Sequence, residues 1–438
     1  MNFININKKV AWLIFIIWIL NSAFLLFTLF KGQEDKPEKK IKKSVKFAEK
    51  DELDTAPSPS KRKKNNTLPV TIKKPVDLAL VESKNLKAGQ GVKSVVFGQD
   101  DEFLYSMNLE EMSISEFSRD KKEISRTLKF HPTKAKGYNY QEKKWFTSFA
   151  EKPVEACFTN GGKYMWISLH NAGGVALWNM EKDTIANGKN YLQATLVDHE
   201  NDKRKKISLR FFETGKTPKF IAVTPDERYL FVSNWHDNNI SVIDISSSDS
   251  DNWFVVQNLD TGSVPRGMAI SQEGKLLYVA NMGSGIITIY DTWSFKKTKE
   301  IYVGATPRHL IIDNNYLYVT LSSPEKLLKL SLDSLKIVAS ASTLDDPRTI
   351  AFSGDSSMIF TTCYADNKIQ AFDRDSLKVM GSWDSPGKPV GIDVYQKDSL
   401  LEAWVCNYTG ASIKVFTFKI TFQEEIAIIE PVLSSIKE

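Results

Sequence analysis

Short apolar stretches with a period of two recur along the back two-thirds of the chain, each set off by a proline. Large apolar residues stand three and five positions after it: Ile221 and Val223, Met268 and Ile270, Leu310 and Ile312, Ile350 and Phe352, Ile392 and Val394. In three of these stretches the residue between is alanine (Ala222, Ala269, Ala351). That alternation predicts a strand covered on both faces, by bulk on one side and by a closely approaching neighbour on the other. A turn rich in Asp, Ser and Gly follows, as in Thr224–Glu227 and Ser271–Gly274. Next comes an aromatic strand (229–234, 277–281, 316–320), then a third strand ending on Asp (240–244, 286–291, 369–373). The fourth stretch varies most (253–256, 298–303, 377–383). Four antiparallel strands per unit is the make-up of a propeller blade.

The unit repeats. Pro218-Lys219, Pro265-Arg266, Pro307-Arg308 and Pro347-Arg348 follow one another at intervals of about 40 to 47 residues, a blade-length period. Weaker copies begin at Val92, Pro153 and Pro389, which makes seven. One unit cannot bury its own faces, so the units must stack. The predicted fold is all-β, a seven-bladed β-propeller of four-stranded antiparallel blades over 76–420, with a C-terminal extension at 421–438. Closing the ring needs a strand from one end. Val76–Val81 is slightly favoured as the outer strand of the last blade over Glu425–Ile429. Residues 131–151 and 180–213 interrupt the pattern as insertions, and the charged run His199–Lys206 in the second predicts an exposed loop.

The strands Tyr278-Val-Ala-Asn281 and Tyr318-Val-Thr320 resemble the YVTN-type β-propeller repeat, within the wider lactonase-like seven-bladed superfamily. The resemblance spans about 92–420. It implies the propeller fold, but not an activity, because that superfamily mixes enzymes with binding proteins.

The front of the chain reads differently. Behind a tail at 1–9, residues 10–30 are apolar apart from Asn21, Ser22 and Thr28. About 20 such residues span a bilayer core, which predicts a transmembrane signal-anchor helix. Lys8 and Lys9 favour a cytoplasmic N-terminus, placing the propeller outside the cytoplasm, in the periplasm or at the cell surface; the lysines after residue 30 pull the other way. Residues 31–75, rich in Lys, Glu, Ser and Pro, predict a disordered basic linker. The net charge of +5 resides there. Residues 1–75 carry 16 Lys or Arg against 7 Asp or Glu, so the remainder is net −4 and its charge gives no reason to expect nucleic acid as a partner. Cys157, Cys363 and Cys406 fit no metal or disulfide spacing and predict small buried residues.

The inner strands of a propeller line its channel. The residue after the repeat proline sits near one mouth: Lys219, Arg266, Arg308 and Arg348, with Lys93 at the matching place in the first unit and Val154 and Val390 in the second and seventh. Such an arc would attract a carboxylate or phosphate. The competing expectation is that each Arg locks the ring by pairing with an acid of the next blade. His309 lies inside the arc's motif; His236 and His170 occupy post-strand loops, a loose set for haem or metal at no recognised ligand spacing. Glu155 and Asp393 fall on inner strands without forming a recognisable acid–base pair. No catalytic constellation, metal site or cofactor is assigned. The leading expectation is a membrane-anchored, monomeric propeller that binds a protein or glycan partner, with the insertions exposed for it. The alternatives are a lactonase-like hydrolase acting on an anionic lactone or ester at the channel mouth, and a haem-handling propeller.

Overall fold

The computed structural model describes residues 69–428, apart from 140, 141 and 183. The tail at 1–9, the expected membrane segment at 10–30 and most of the expected linker lie outside the described residues. No helix among the described residues is long and apolar enough to cross a membrane.

The sheets make seven blades. Blades 3 to 6 are separate four-stranded antiparallel sheets covering Pro218–Asp260, Pro265–Tyr302, Pro307–Ser342 and Pro347–Asp384. Blade 7 contains Pro389–Lys397, Leu400–Asn407 and Ser412–Ile428, and its outer strand is Pro69–Lys87 from the other end of the chain. Blades 1 and 2 share one nine-stranded sheet. The inner strands, beginning at Val92, Pro153, Pro218, Pro265, Pro307, Pro347 and Pro389, each touch the next, and the last touches the first. The ring is closed.

Packing follows the alternation in the sequence. Ile221, Met268, Leu310, Ile350 and Ile392 are buried. Tyr278 and Tyr318 of the aromatic strands are fully buried between blades. Hydroxyls tie neighbouring blades together. Ser94 donates to the Val154 carbonyl (2.7 Å), Ser168 to that of Lys219 (2.7 Å), Ser233 to that of Arg266 (2.9 Å), Thr320 to that of Arg348 (3.0 Å) and Thr349 to that of Val390 (2.7 Å). Each such bond contributes about 1 kcal/mol and fixes the backbone of the residue after the repeat proline. Between blades 4 and 5 Gly267 takes over: a Cβ there would lie 2.6 Å from the Arg308 carbonyl, so the two strands touch backbone to backbone.

The seam between blades 7 and 1 is polar and aromatic. Lys122 pairs with Glu402 (2.6 Å) and lies over the Trp404 ring, while Arg119 stacks on Tyr395. Asp393 accepts from the Phe97 amide (2.8 Å), and burial pushes its carboxyl up to about 6.

Three expectations change. The linker boundary at 75 moves, because the strand starts at Pro69, and the C-terminal extension at 421–438 is strand as far as Ile428. Both shifts have one cause: Pro69 and Ile428 are register partners in a long two-stranded ribbon. Both candidate closing segments therefore belong to blade 7, with the N-terminal one outermost. Residues 180–213 are not a loop insertion. Lys203–Glu213 is the outer strand of blade 2, pairing Gly174 with Glu213, and Tyr191–Asp198 pairs with Glu123–Phe130 to weld blades 1 and 2. Alternating Ile207, Leu209 and Phe211 drive this, with Ile207 and Leu209 buried in the shared core. Within His199–Lys206 only the turn at 199–202 is loop; Lys203, Arg204, Lys205 and Lys206 lie exposed on the strand. Cys363 and Cys406 are buried and Cys157 is half-buried, all free thiols.

Candidate functional site: a cationic well at the channel mouth

The local backbone of the repeat decides where its cations point. Each inner strand starts with a bulge that takes in the residue after the proline (Pro218/Ile221, Pro265/Met268, Pro307/Leu310, Pro347/Ile350), and blades 1, 2 and 7 have equivalents. A bulge re-aims a side chain out of the regular alternation. The residue ahead of the bulge is left-handed in six blades: Gly91, Thr217, Val264, Thr306, Asp346 and Lys388. For β-branched Thr and Val that conformation is strained, and it is held by the surrounding ring.

The result is a cavity of about 280 Å³ at the mouth, into which Lys93, Lys219, Arg266, Arg308 and Arg348 converge. Residues spread over more than 250 positions of sequence thus share one wall. Lys152, which precedes the proline of blade 2, adds a sixth cation. Tyr408, Trp235, His170 and Glu110 complete much of the rest.

The cations are unequally paired. Arg348 bonds Asp346 of its own blade through Nε (3.0 Å) and Nη2 (2.8 Å) and lies 3.3 Å from the Tyr364 ring centroid. Arg266 reaches across the channel from blade 4 to Glu155 of blade 2 (3.1 Å); its Nη1 is buried without a partner. Lys152 and the Tyr408 hydroxyl both bond Glu110 (2.5 and 3.1 Å). Lys219 lies over Trp235, with its Nζ 2.7 Å from His170 Nδ1. Among the described residues Lys93 meets the Tyr408 ring, 5.1 Å away, and no acid. Arg308 makes no side-chain hydrogen bond or ion pair among the described residues. Pairing with acids of the next blade is therefore not what holds the arc.

This crowding acts on protonation. Burial, reinforced by Arg348, Arg308 and Arg266, holds the Lys93 amine well below its usual range. Burial and then Lys93, Arg266 and Arg308 do the same to Lys219. Arg308 is depressed by burial and by Arg348 and Arg266. His170 is driven down by burial and by Lys219, Lys93 and Lys152, so its ring is neutral. An anion in the well relieves all of these at once.

The other two predicted histidines lie elsewhere. His309 sits one residue deeper than the arc, where its ring meets Phe220 of blade 3 edge-on (5.3 Å), and burial lowers it to about 3. With the Arg266–Glu155 pair it forms a layer of cross-channel contacts under the well. His236 stands behind the rim, stacked on Trp235, with Nδ1 2.7 Å from the Thr217 hydroxyl. His170, His236 and His309 do not form a cluster, and no group of potential metal ligands is found among the described residues.

The first insertion supplies what the repeat pattern did not indicate. Lys134–Asn139 and Lys144–Phe149 form a hairpin that brings Tyr138, Phe146 and Ser148 to the well. Asn171 of blade 2 holds it, donating to the Ser148 hydroxyl (3.2 Å) and the Phe149 carbonyl (2.8 Å). The aromatic density of 138–149 was the available signal.

Comparison with known proteins agrees on the architecture. The family described as "Lactonase, 7-bladed beta-propeller" matches residues 156–294, from the inner strand of blade 2 to just past the third strand of blade 4. The crystal structure of the Myceliophteria thermophila Cps50 (Swd1) β-propeller domain superposes with a TM-score of 0.55 at 12% identity, covering 76% of this chain and 99% of that one. The chain is a β-propeller. At that identity the likeness speaks for the propeller's fold alone. No curated protein matches this chain.

Proposed function

We propose that this propeller is a binding module whose well captures an acidic group of a glycan or protein partner. In the same reading, residues 10–30 anchor it in a membrane and hold the propeller outside the cytoplasm. The observation that carries the binding reading is the convergence of five arc cations on one cavity, with Arg308 unpaired and a buried Arg266 nitrogen unsatisfied among the described residues. Unpaired guanidinium groups in a concave site favour a carboxylate or phosphate.

The test is calorimetric titration of a small anion, inorganic phosphate, at several pH values. Because the Lys93 and Lys219 amines lie below their usual range in the free protein, phosphate raises them and protons are taken up on binding. Affinity therefore falls as pH rises through the range between the depressed and ordinary lysine values. It also falls with added salt. Absence of any phosphate binding at low salt would remove the reading.

A second reading, a hydrolase for an anionic lactone or ester, draws on the partial match to the lactonase family. There the arginines would hold the acid and polarise the carbonyl while water attacks it. The usual bases are occupied, His170 Nδ1 by Lys219 and Glu110 by Lys152 and Tyr408, which leaves the depressed Lys93 amine for that role. Binding thus ranks first. A panel of anionic lactones is expected to show no turnover above the buffer rate; acceleration lost in Arg308→Ala would favour the hydrolase.

A further inference from the structure

The strands Lys134–Asn139 and Lys144–Phe149 border the well and an adjoining cavity of about 250 Å³, and Tyr138, His170 and Asn171 line both. Trp145 and Phe146 are adjacent on one strand, so they face opposite sides. Phe146 lines the well and Trp145 the second cavity. Each compartment alone falls below the usual range of small-molecule sites, about 300–1,000 Å³, and together they fall within it. We propose that the two form one bipartite site for an acidic oligosaccharide. The acidic sugar occupies the cationic well, and the next, uncharged ring lies against Trp145. This rests on the anion-binding reading of the well and extends it to a ligand class.

The two compartments differ in the way such a ligand requires. The well carries six cations against few acids. In the second compartment Lys216 is already paired with Asp237 (3.2 Å) and Lys136 is exposed to water, so a second anion gains little there. What it offers instead is an aromatic face with polar groups at its edge: the Asn171 amide oxygen, whose nitrogen holds the hairpin, and the Thr217 hydroxyl beside His236. A sugar ring needs that combination, with its C–H face on the aromatic and its hydroxyls on polar groups. Trp145 is 59% exposed, and Phe146 and Phe149 stand out beside it. Three large uncovered apolar side chains on one short hairpin mark a contact surface.

The platform is firmly built. Ala150 donates to the Thr133 carbonyl (2.9 Å), Thr133 donates back to the buried Glu151 carboxylate (2.8 Å), and Asn171 fastens the strand end. At its far side Tyr138 and Trp145 lie against His236 of blade 3. Tyr138 and Trp145 meet edge to face at 64°, so between these two rings there is an open face and not a parallel slot. A flat nucleobase is best held by parallel stacking, whereas a puckered sugar ring needs only one face.

The experiment titrates the full-length chain in detergent with three probes: a disaccharide ending in a uronic acid, the free uronic acid, and the matching neutral disaccharide. The acidic disaccharide is expected to bind at least about 10-fold tighter than the free acid, and the neutral one not measurably. Trp145→Ala reduces the acidic disaccharide to the level of the free acid and leaves the free acid unchanged; the indole is exposed, so the fold survives its removal. Arg308→Ala weakens both acids. If the free acid and phosphate bind but the disaccharide gains nothing, or Trp145→Ala changes nothing, the bipartite site is wrong and the anion well stands. A mononucleotide binding tighter than the disaccharide also overturns it. If no anion binds, both readings fail together.

Discussion

Arg308→Ala is expected to lower phosphate affinity by about 10- to 100-fold while leaving the melting temperature unchanged or slightly raised. A charge-assisted hydrogen bond is worth about 1.5–3 kcal/mol, and each 1.4 kcal/mol is a tenfold change in affinity. The combination is unusual because most buried charges are structural, and removing one strands its partner. Among the described residues Arg308 bonds no acid, and burial with Arg348 and Arg266 opposes its charge more than Asp346 and Glu155 favour it. Arg266→Ala makes the contrast: it orphans Glu155 across the channel and is expected to lower the melting temperature together with affinity. Arg308→Lys keeps the charge but not the fork and should fall between wild type and alanine. Calorimetric titration and thermal melts of the three variants check this. A large loss of stability in Arg308→Ala with unchanged affinity would make the residue a structural one.

Removing Pro69–Lys87 is expected to abolish the soluble monomer. This strand is the outer edge of blade 7, in register with Ser412–Ile428 along nearly its whole length, and it buries Leu78 and Leu86. Without it, the neighbouring strand presents a long row of open amides and carbonyls, a template for pairing between molecules. A chain beginning at residue 67 should elute as a monomer and melt cooperatively; one beginning at residue 88 should aggregate or elute as large species. A truncated protein that stays monomeric with an unchanged transition would show that the ring does not depend on this strand.

Much of the ring was legible because each blade repeats one solution to one problem. Proline marks the strand start, alternation marks the buried positions, and an interval set by four strands and their turns marks the period. The cations after the proline were legible for the same reason. Their aim was less so, since it comes from a bulge and a left-handed residue whose identity varies among Gly, Thr, Val, Asp and Lys. Lys152 was missed because it stands one position before its proline, outside the motif. Outer strands pack least regularly, so the outer strand of blade 2 read as an insertion. The histidines misled because equivalent places in a repeat do not fix side-chain direction: His309 turns down the channel and His236 backs onto Trp235.

The layer of cross-channel contacts beneath the arc also limits what kind of molecule the mouth can accept. Arg266 meeting Glu155, and His309 meeting Phe220, each bridge blades that are not neighbours, so they stand in the way of threading from face to face. Two contacts thus cross the channel just inside this mouth. If the ligand proposed above belongs to a longer polymer, that polymer would have to offer a terminus or a short side branch, so chain ends, more than internal repeats, would set how many sites it fills.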